Sequence, residues 1–203
     1  MQDSICHATS EDGINFTRDK TNPIYRTGEG WSCGRAIDAD VVVFHDKLYL
    51  YVATRDKDFK VQMLGAAVCD VHSDFSRDCW SEAFDGSILK PEQKWEGLCI
   101  EAPAAIQHQG KIYMFYGGAY NCSPQQIGCA VSEDGIHYTR YSTEPILTNG
   151  KPGEWNSRES GHPYVFEDED GRIYLFYQGA DDNGTWRLSR KEIIIDSGEI
   201  KIV

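Results

Sequence analysis

The sequence lacks the features that mark membrane-spanning, disulfide-stapled and nucleic-acid-binding chains. No apolar run approaches the ~18 residues that a spanning helix needs, so no membrane partner is expected. The N-terminus, MQDSICHATSEDG, has neither the basic stretch nor the apolar core of a secretory leader. A cytoplasmic location follows as an expectation, with secretion left open if the chain is trimmed at that end. Bases are scarce: 20 Lys and Arg stand against 32 Asp and Glu, a net charge of −12. Phosphate affinity needs clustered bases, which argues against nucleic acid and fits a neutral ligand. The seven cysteines are odd in number and show no CxxC or Cys/His spacing, so a reduced, mostly buried set is expected. Helical periodicity is missing as well; only SDFSRDCWSEAF, residues 73–84, is expected to hold a helical turn.

What the chain does have is aromatic residues and repeats. Its 203 residues suit one domain. Residues 10–25, SEDGINFTRDKTNPIY, and 132–147, SEDGIHYTRYSTEPIL, agree at ten of sixteen positions. Ser-Glu-Asp-Gly is a turn signal, and the Ile-x-aromatic-Thr after it alternates like a strand. A hairpin also recurs three times, in VVVFHDKLYLYVA (41–53), AAIQHQGKIYMFYGGA (104–119) and YVFEDEDGRIYLFYQGA (164–180). Each second strand carries a tyrosine at the matching site: Tyr49, Tyr113 and Tyr174. Apolar character on both strands of each hairpin predicts burial on both faces. Trp31, Trp95 and Trp155 each stand six or seven residues before a hairpin.

Repeats of about 60 residues, each a hairpin plus a second strand pair, predict four-stranded blades and an all-β propeller; a β-sandwich is the runner-up. About three and a half blades are expected in a single domain over 1–203: outer strands of a partial blade in 1–30, then blades in 31–92, 93–150 and 151–203. An incomplete ring exposes apolar faces and strand edges, so a homo-oligomer or a missing N-terminal part is expected to complete it.

The hairpins are aligned on their tyrosines, with the turn taken to lengthen by one residue from the first to the second and again to the third. Asp38-Ala39-Asp40, Glu101-Ala102-Pro103 and Gly161-His162-Pro163 then share one site, the mouth of each innermost strand. Carboxylates that converge there can do acid/base work: one in an apolar frame keeps its proton, another in a polar setting stays ionised. Glu101, between Ile100 and Ala102, is the candidate general acid, and Asp38 the residue that tunes it or stabilises positive charge. Strand alternation puts Asp40 on the same face as Asp38. The same carboxylates equally suit capping of backbone N–H groups or holding an internal cation such as calcium, although no cofactor or metal is required. His162 is a candidate ligand contact or a structural histidine. The three tryptophans are candidate sugar platforms or packing between blades. Arg35, with Arg55 and Arg158, supplies the only bases near this face. The run Glu167-Asp168-Glu169-Asp170 reads as a solvated hairpin tip.

The segments IDADVVVFHDKLYLYV, IEAPAAIQHQGKIYMFYGG, CAVSEDGIHYTR and SGHPYVFEDEDGRIYLFYQG, in that order, resemble successive blades of glycoside hydrolase family 43 and its five-bladed relatives. The resemblance covers nearly the whole chain. It implies a carbohydrate substrate: arabinose- or xylose-containing plant oligo- and polysaccharides, with fructan-acting relatives as the alternative. It implies that Glu101 is the general acid, that Asp38 modulates its pKa, and that His162 lies near the axis by an ion or water. The family's third carboxylate, the base or nucleophile, has no match before residue 38. The expected function is therefore a glycosidase whose base is absent from these residues, or a catalytically impaired carbohydrate-binding module.

Overall fold

The computed structural model describes residues 3–28 and 30–203 and is almost wholly β; Met1, Gln2 and Glu29, within the expected partial blade, lie outside the described residues. Two short strands, β1 (Ala8–Thr9) and β2 (Thr17–Arg18), pair alone. Then come β3 (Ile37–Phe44), β4 (Lys47–Arg55), β5 (Gln62–Asp70) and β6 (Ser81–Glu82). They are followed by β7 (Ile100–His108), β8 (Lys111–Gly118), β9 (Gln126–Ser132) and β10 (Thr139–Arg140). The last four are β11 (Glu159–Glu167), β12 (Ile173–Ala180), β13 (Trp186–Asp196) and β14 (Glu199–Ile202). Each set of four is an antiparallel meander in chain order, one blade of a propeller. The first strands, β3, β7 and β11, lie side by side at the axis, with β7 packed against both others. Single 3-10 turns occupy Arg77–Cys79, inside the expected stretch, and Lys94–Glu96.

The first two hairpins close through two left-handed residues each, His45-Asp46 and Gln109-Gly110, the turn geometry that follows the twist of paired strands. The third closes more widely, with Asp168 N–H bonded to the Arg172 carbonyl at 2.8 Å. Tyr49 pairs with Val42, Tyr113 with Ile106 and Tyr174 with Phe166. The turn therefore keeps its length between the first two hairpins and lengthens only in the third. This corrects the expected alignment: Asp38 is equivalent to Ala102 and His162, whereas Glu101 is equivalent to Ile37 and Gly161.

The apolar core is divided between the blade interfaces. Tyr51 and Leu64 meet Ile100, Met114 and Tyr116 between the first two complete blades. Phe115 and Ile127 meet Val165, Leu175 and Ile193 between the second and third. Ile24 and Tyr25, beyond β2, cover Leu50 and Val52. β4 and β8 are thus covered on both sides along most of their length. Burying one such side chain contributes about 1.5–3 kcal/mol. The outer faces of the array are different: Tyr164, Phe166 and Leu188 on the last blade stay exposed, as do Val41 and Val43 on β3. All seven cysteines are free, but only Cys69, Cys99 and Cys129 are buried and Cys6 is exposed, so the set is less buried than expected.

Candidate active site

Each innermost strand breaks its register at the same place, between Ile37 and Asp40, Glu101 and Ala104, and Gly161 and Tyr164. Inside each bulge one non-glycine residue is left-handed: Asp38 (φ 52°), Ala102 (φ 50°) and His162 (φ 43°). Such residues cost about 1–3 kcal/mol each and gather where a fold re-aims side chains for function. Here the three bulges turn Asp38, Glu101 and His162 toward one point, with a donor atom from each lying within 4.8 Å of the others.

Glu101 is only 7% exposed. Its surroundings are polar, contrary to the apolar frame read from Ile100 and Ala102. Gln125 Nε2 donates to Glu101 Oε1 at 2.8 Å, and Gln62 Nε2 donates to Oε2. Arg55 Nε donates to Gln62 Oε1 at 3.1 Å and so fixes which end of that amide faces the carboxyl. The Arg55 guanidinium also lies over the Tyr120 ring, 5.9 Å from its centroid. His162 Nε2 stands 3.9 Å from Glu101 Oε1. Behind it, Gln178 Nε2 lies 2.8 Å from His162 Nδ1 and donates to buried Glu159 at 2.7 Å. Gln62, Gln125 and Gln178 were not singled out by the sequence, whereas Arg55 was expected near this face. Two glycines, Gly117 and Gly161, were the available signal, because both make room for the Gln125 amide.

Asp40 does not join this group. Its Oδ2 accepts the Ala105 N–H across the blade interface at 2.7 Å, and burial pushes its carboxyl up despite that bond. The bulge explains the difference, since a left-handed Asp38 breaks the alternation that would have put both on one face. Arg35 is ion-paired with Asp3 at 3.2 Å. Trp95 lies against Gly118, stacks on Tyr116 at 6.0 Å and donates its indole N–H to the Thr143 carbonyl at 2.9 Å. Trp155 lies likewise against Gly179 beside Tyr177, and Trp31 against Gly65. All three indoles thus pack on glycines of their own blades. The run 167–170 is exposed at its hairpin tip.

Among the described residues, Asp38, Glu101 and His162 are the one group able to hold a metal ion. The two carboxylates supply the oxygen ligands that calcium takes, whereas the His162 imidazole suits a transition metal, so the set fits a hard cation only through its carboxylates.

Residues 4–198 match the family model for glycosyl hydrolases family 43. The xylosidase/arabinosidase 43A of Humicola insolens is 30% identical over 150 residues, covering 70% of this chain and 43% of that protein. A thermostable family-43 glycoside hydrolase of known structure superposes with a TM-score of 0.75 at 25% identity, over 98% of this chain and 66% of the other. An α-L-arabinofuranosidase from Lactobacillus brevis shares the fold, with a TM-score of 0.62 at 19% identity, over 81% of this chain and 54% of the other. The chain thus spans less than half the length of the curated relative that it matches. Because the match runs through every blade and through all three strand mouths, the chain belongs to glycosyl hydrolases family 43.

Proposed function

We propose that this chain is all or part of a glycoside hydrolase acting on arabinose- or xylose-containing oligosaccharides, with Glu101 as the general acid. The observation that carries the reading is the convergence of Asp38, Glu101 and His162 on one point at the propeller axis. The activity of the Humicola relative, a xylosidase/arabinosidase, supports the sugar class. In an inverting pair the acid and base stand about 6.5–9.5 Å apart, with water between them. Asp38 lies within 4.8 Å of Glu101, too close for that pairing. Its role is to place negative charge beside the oxocarbenium-like transition state. Glu101 delivers its proton to the departing glycosidic oxygen, held by the Gln62 and Gln125 amides. The carboxylate that activates water comes from outside these 203 residues, from further chain or from a second copy closing the ring. A calcium or similar ion near His162 would add to the binding of sugar hydroxyls.

The test is turnover of aryl arabinofuranosides, aryl xylosides and their unactivated oligosaccharides, with a fructoside as control. Glu101→Gln should lose about 10²–10⁴-fold in kcat on the oligosaccharides and less on nitrophenyl glycosides, whose leaving group needs little protonation. Sugar binding without turnover in either protein would instead make this a carbohydrate-binding propeller.

A further inference from the structure

We infer that Gln125 is a positioning residue, which sets Glu101 and the mouth of β11 relative to one another across two blades. The inference rests on the reading of Glu101 as the proton donor. Gln125 lies in the connection from β8 to β9 and is fully buried. Its amide is used at both ends. Nε2 donates to Glu101 Oε1 and to the Ala119 carbonyl, each at 2.8 Å, while Oε1 accepts the His162 backbone N–H at 3.0 Å. The Ala119 carbonyl can only accept from it and the His162 N–H can only donate to it, which leaves the amide a single orientation. Its own carbonyl accepts the Ser160 N–H at 3.1 Å, so backbone and side chain both clamp the start of β11.

The space around the amide is kept open for it. A Cβ on Gly161 would overlap Gln125 Oε1, and one on Gly117 would stand 2.9 Å from its Cδ. Neither glycine has a left-handed φ, so what demands glycine there is room for the amide. The glycine of Gly161-His162-Pro163 is thereby accounted for. Gln62 reaches Glu101 from the preceding blade only, whereas Gln125 ties Glu101 to the blade that follows. A shift of about 1 Å in a reacting group can cost about 10²-fold in rate, so a strut at this point bears on kcat more than on binding.

The decisive variant is Gln125→Met, which keeps length and bulk but removes every hydrogen bond of the side chain. On whichever arabinoside or xyloside the wild type turns over, kcat should fall about 10–100-fold while KM moves less than about threefold. Gly161→Ala, which pushes the amide aside, should reproduce that split. In a Gln125→Ala background, where the space is vacated, Gly161→Ala should add no further loss. Wild-type kcat in Gln125→Met, or additive losses in the double variant, would overturn the assignment. If the wild type turns over no glycoside, it is the hydrolase reading that fails. Crystal structures of wild type, Gln125→Met and Gly161→Ala then test Gln125 alone: a Glu101 carboxyl moved by about 1 Å or more supports it, and an unmoved one refutes it.

Discussion

Ser-Glu-Asp-Gly-Ile occurs at residues 10–14 and again at 132–136, and the two copies fold alike in unlike company. In each, the serine Oγ accepts the glycine N–H at 2.9 Å. In each, the aspartate Oδ1 accepts the next two N–H groups, from Ile14 and Asn15 or from Ile136 and His137, at 2.7–2.9 Å. The turn is therefore a local object, made by its own side chains. Its surroundings differ. The second copy seals a blade interface: Tyr49 and Tyr51 donate to the Asp134 and Gly135 carbonyls at 3.0 Å, and Ile136 and Tyr138 join the core. Among the described residues the first copy has no blade beside it, which leaves Ile14 81% and Phe16 64% exposed. Identical letters thus build one turn that carries a propeller interface and one that stays exposed.

The sharpest way to break the comparison is at the glycines. Gly13 and Gly135 are both left-handed, but a Cβ on Gly135 would come within 2.8 Å of the Tyr49 ring, whereas one on Gly13 meets open space. Gly135→Ala should cost about 2–4 kcal/mol, strain plus overpacking, and Gly13→Ala about 1 kcal/mol, strain alone. Urea unfolding of the two variants checks both values.

The isoleucines come next. Ile136→Ser should destabilise by about 1–2 kcal/mol, because it removes a partly buried side chain. Ile14→Ser, with or without Phe16→Ser, should leave the unfolding midpoint unchanged and lower self-association in light scattering. A midpoint that falls with Ile14→Ser would mean that a second copy already covers this face.

The aspartates give the smallest effect. Backbone N–H groups, Asn15 first, hold Asp12 below the usual carboxyl value of 3.8. Burial pulls Asp134 upward, but the His137 side chain and the neighbouring N–H groups outweigh it and hold Asp134 low as well. A carboxyl held low in the fold contributes stability that is present above about pH 4 and is lost as pH falls through its folded value. Asp134→Ala should therefore lower the midpoint by a few degrees at pH 7, with the gap to wild type closing only below about pH 4. Asp12→Ala should show the same pH dependence locally, by exchange of the Ile14 and Asn15 amides, with no resolvable change in the global midpoint.

The blades were legible because the repeats place like residues at one register position, as with Tyr49, Tyr113 and Tyr174, paired with Val42, Ile106 and Phe166. The bulges were not, since Asp38, Ala102 and His162 adopt positive φ with no glycine to announce it. That gap put Asp40 on the wrong face, while the turn, taken as longer in the second hairpin than in the first, moved Asp38 by one place in the alignment. The convergence of Asp38, Glu101 and His162 was nonetheless expected, because each of the three stands at its strand's bulge. Gln62 and Gln125 escaped notice for a different reason. Their partners are 39 and 24 residues away, on elements whose approach no local pattern records.

One consequence follows from the bulges themselves. Each strand enters its bulge with a pair of neighbours: Ile37-Asp38, Glu101-Ala102 and Gly161-His162. Each pair holds one polar side chain and one inert residue. The polar one takes the second seat in the first and last pairs, and the first seat in the middle pair. The seats are not freely exchanged: the second is left-handed, a conformation that a β-branched residue such as Ile37 resists, and the first seat of the last pair has no room for a Cβ beside the Gln125 amide. Neighbouring Cα atoms lie about 3.8 Å apart, so the choice of seat decides, by one fixed step, where each blade's functional group enters the axis.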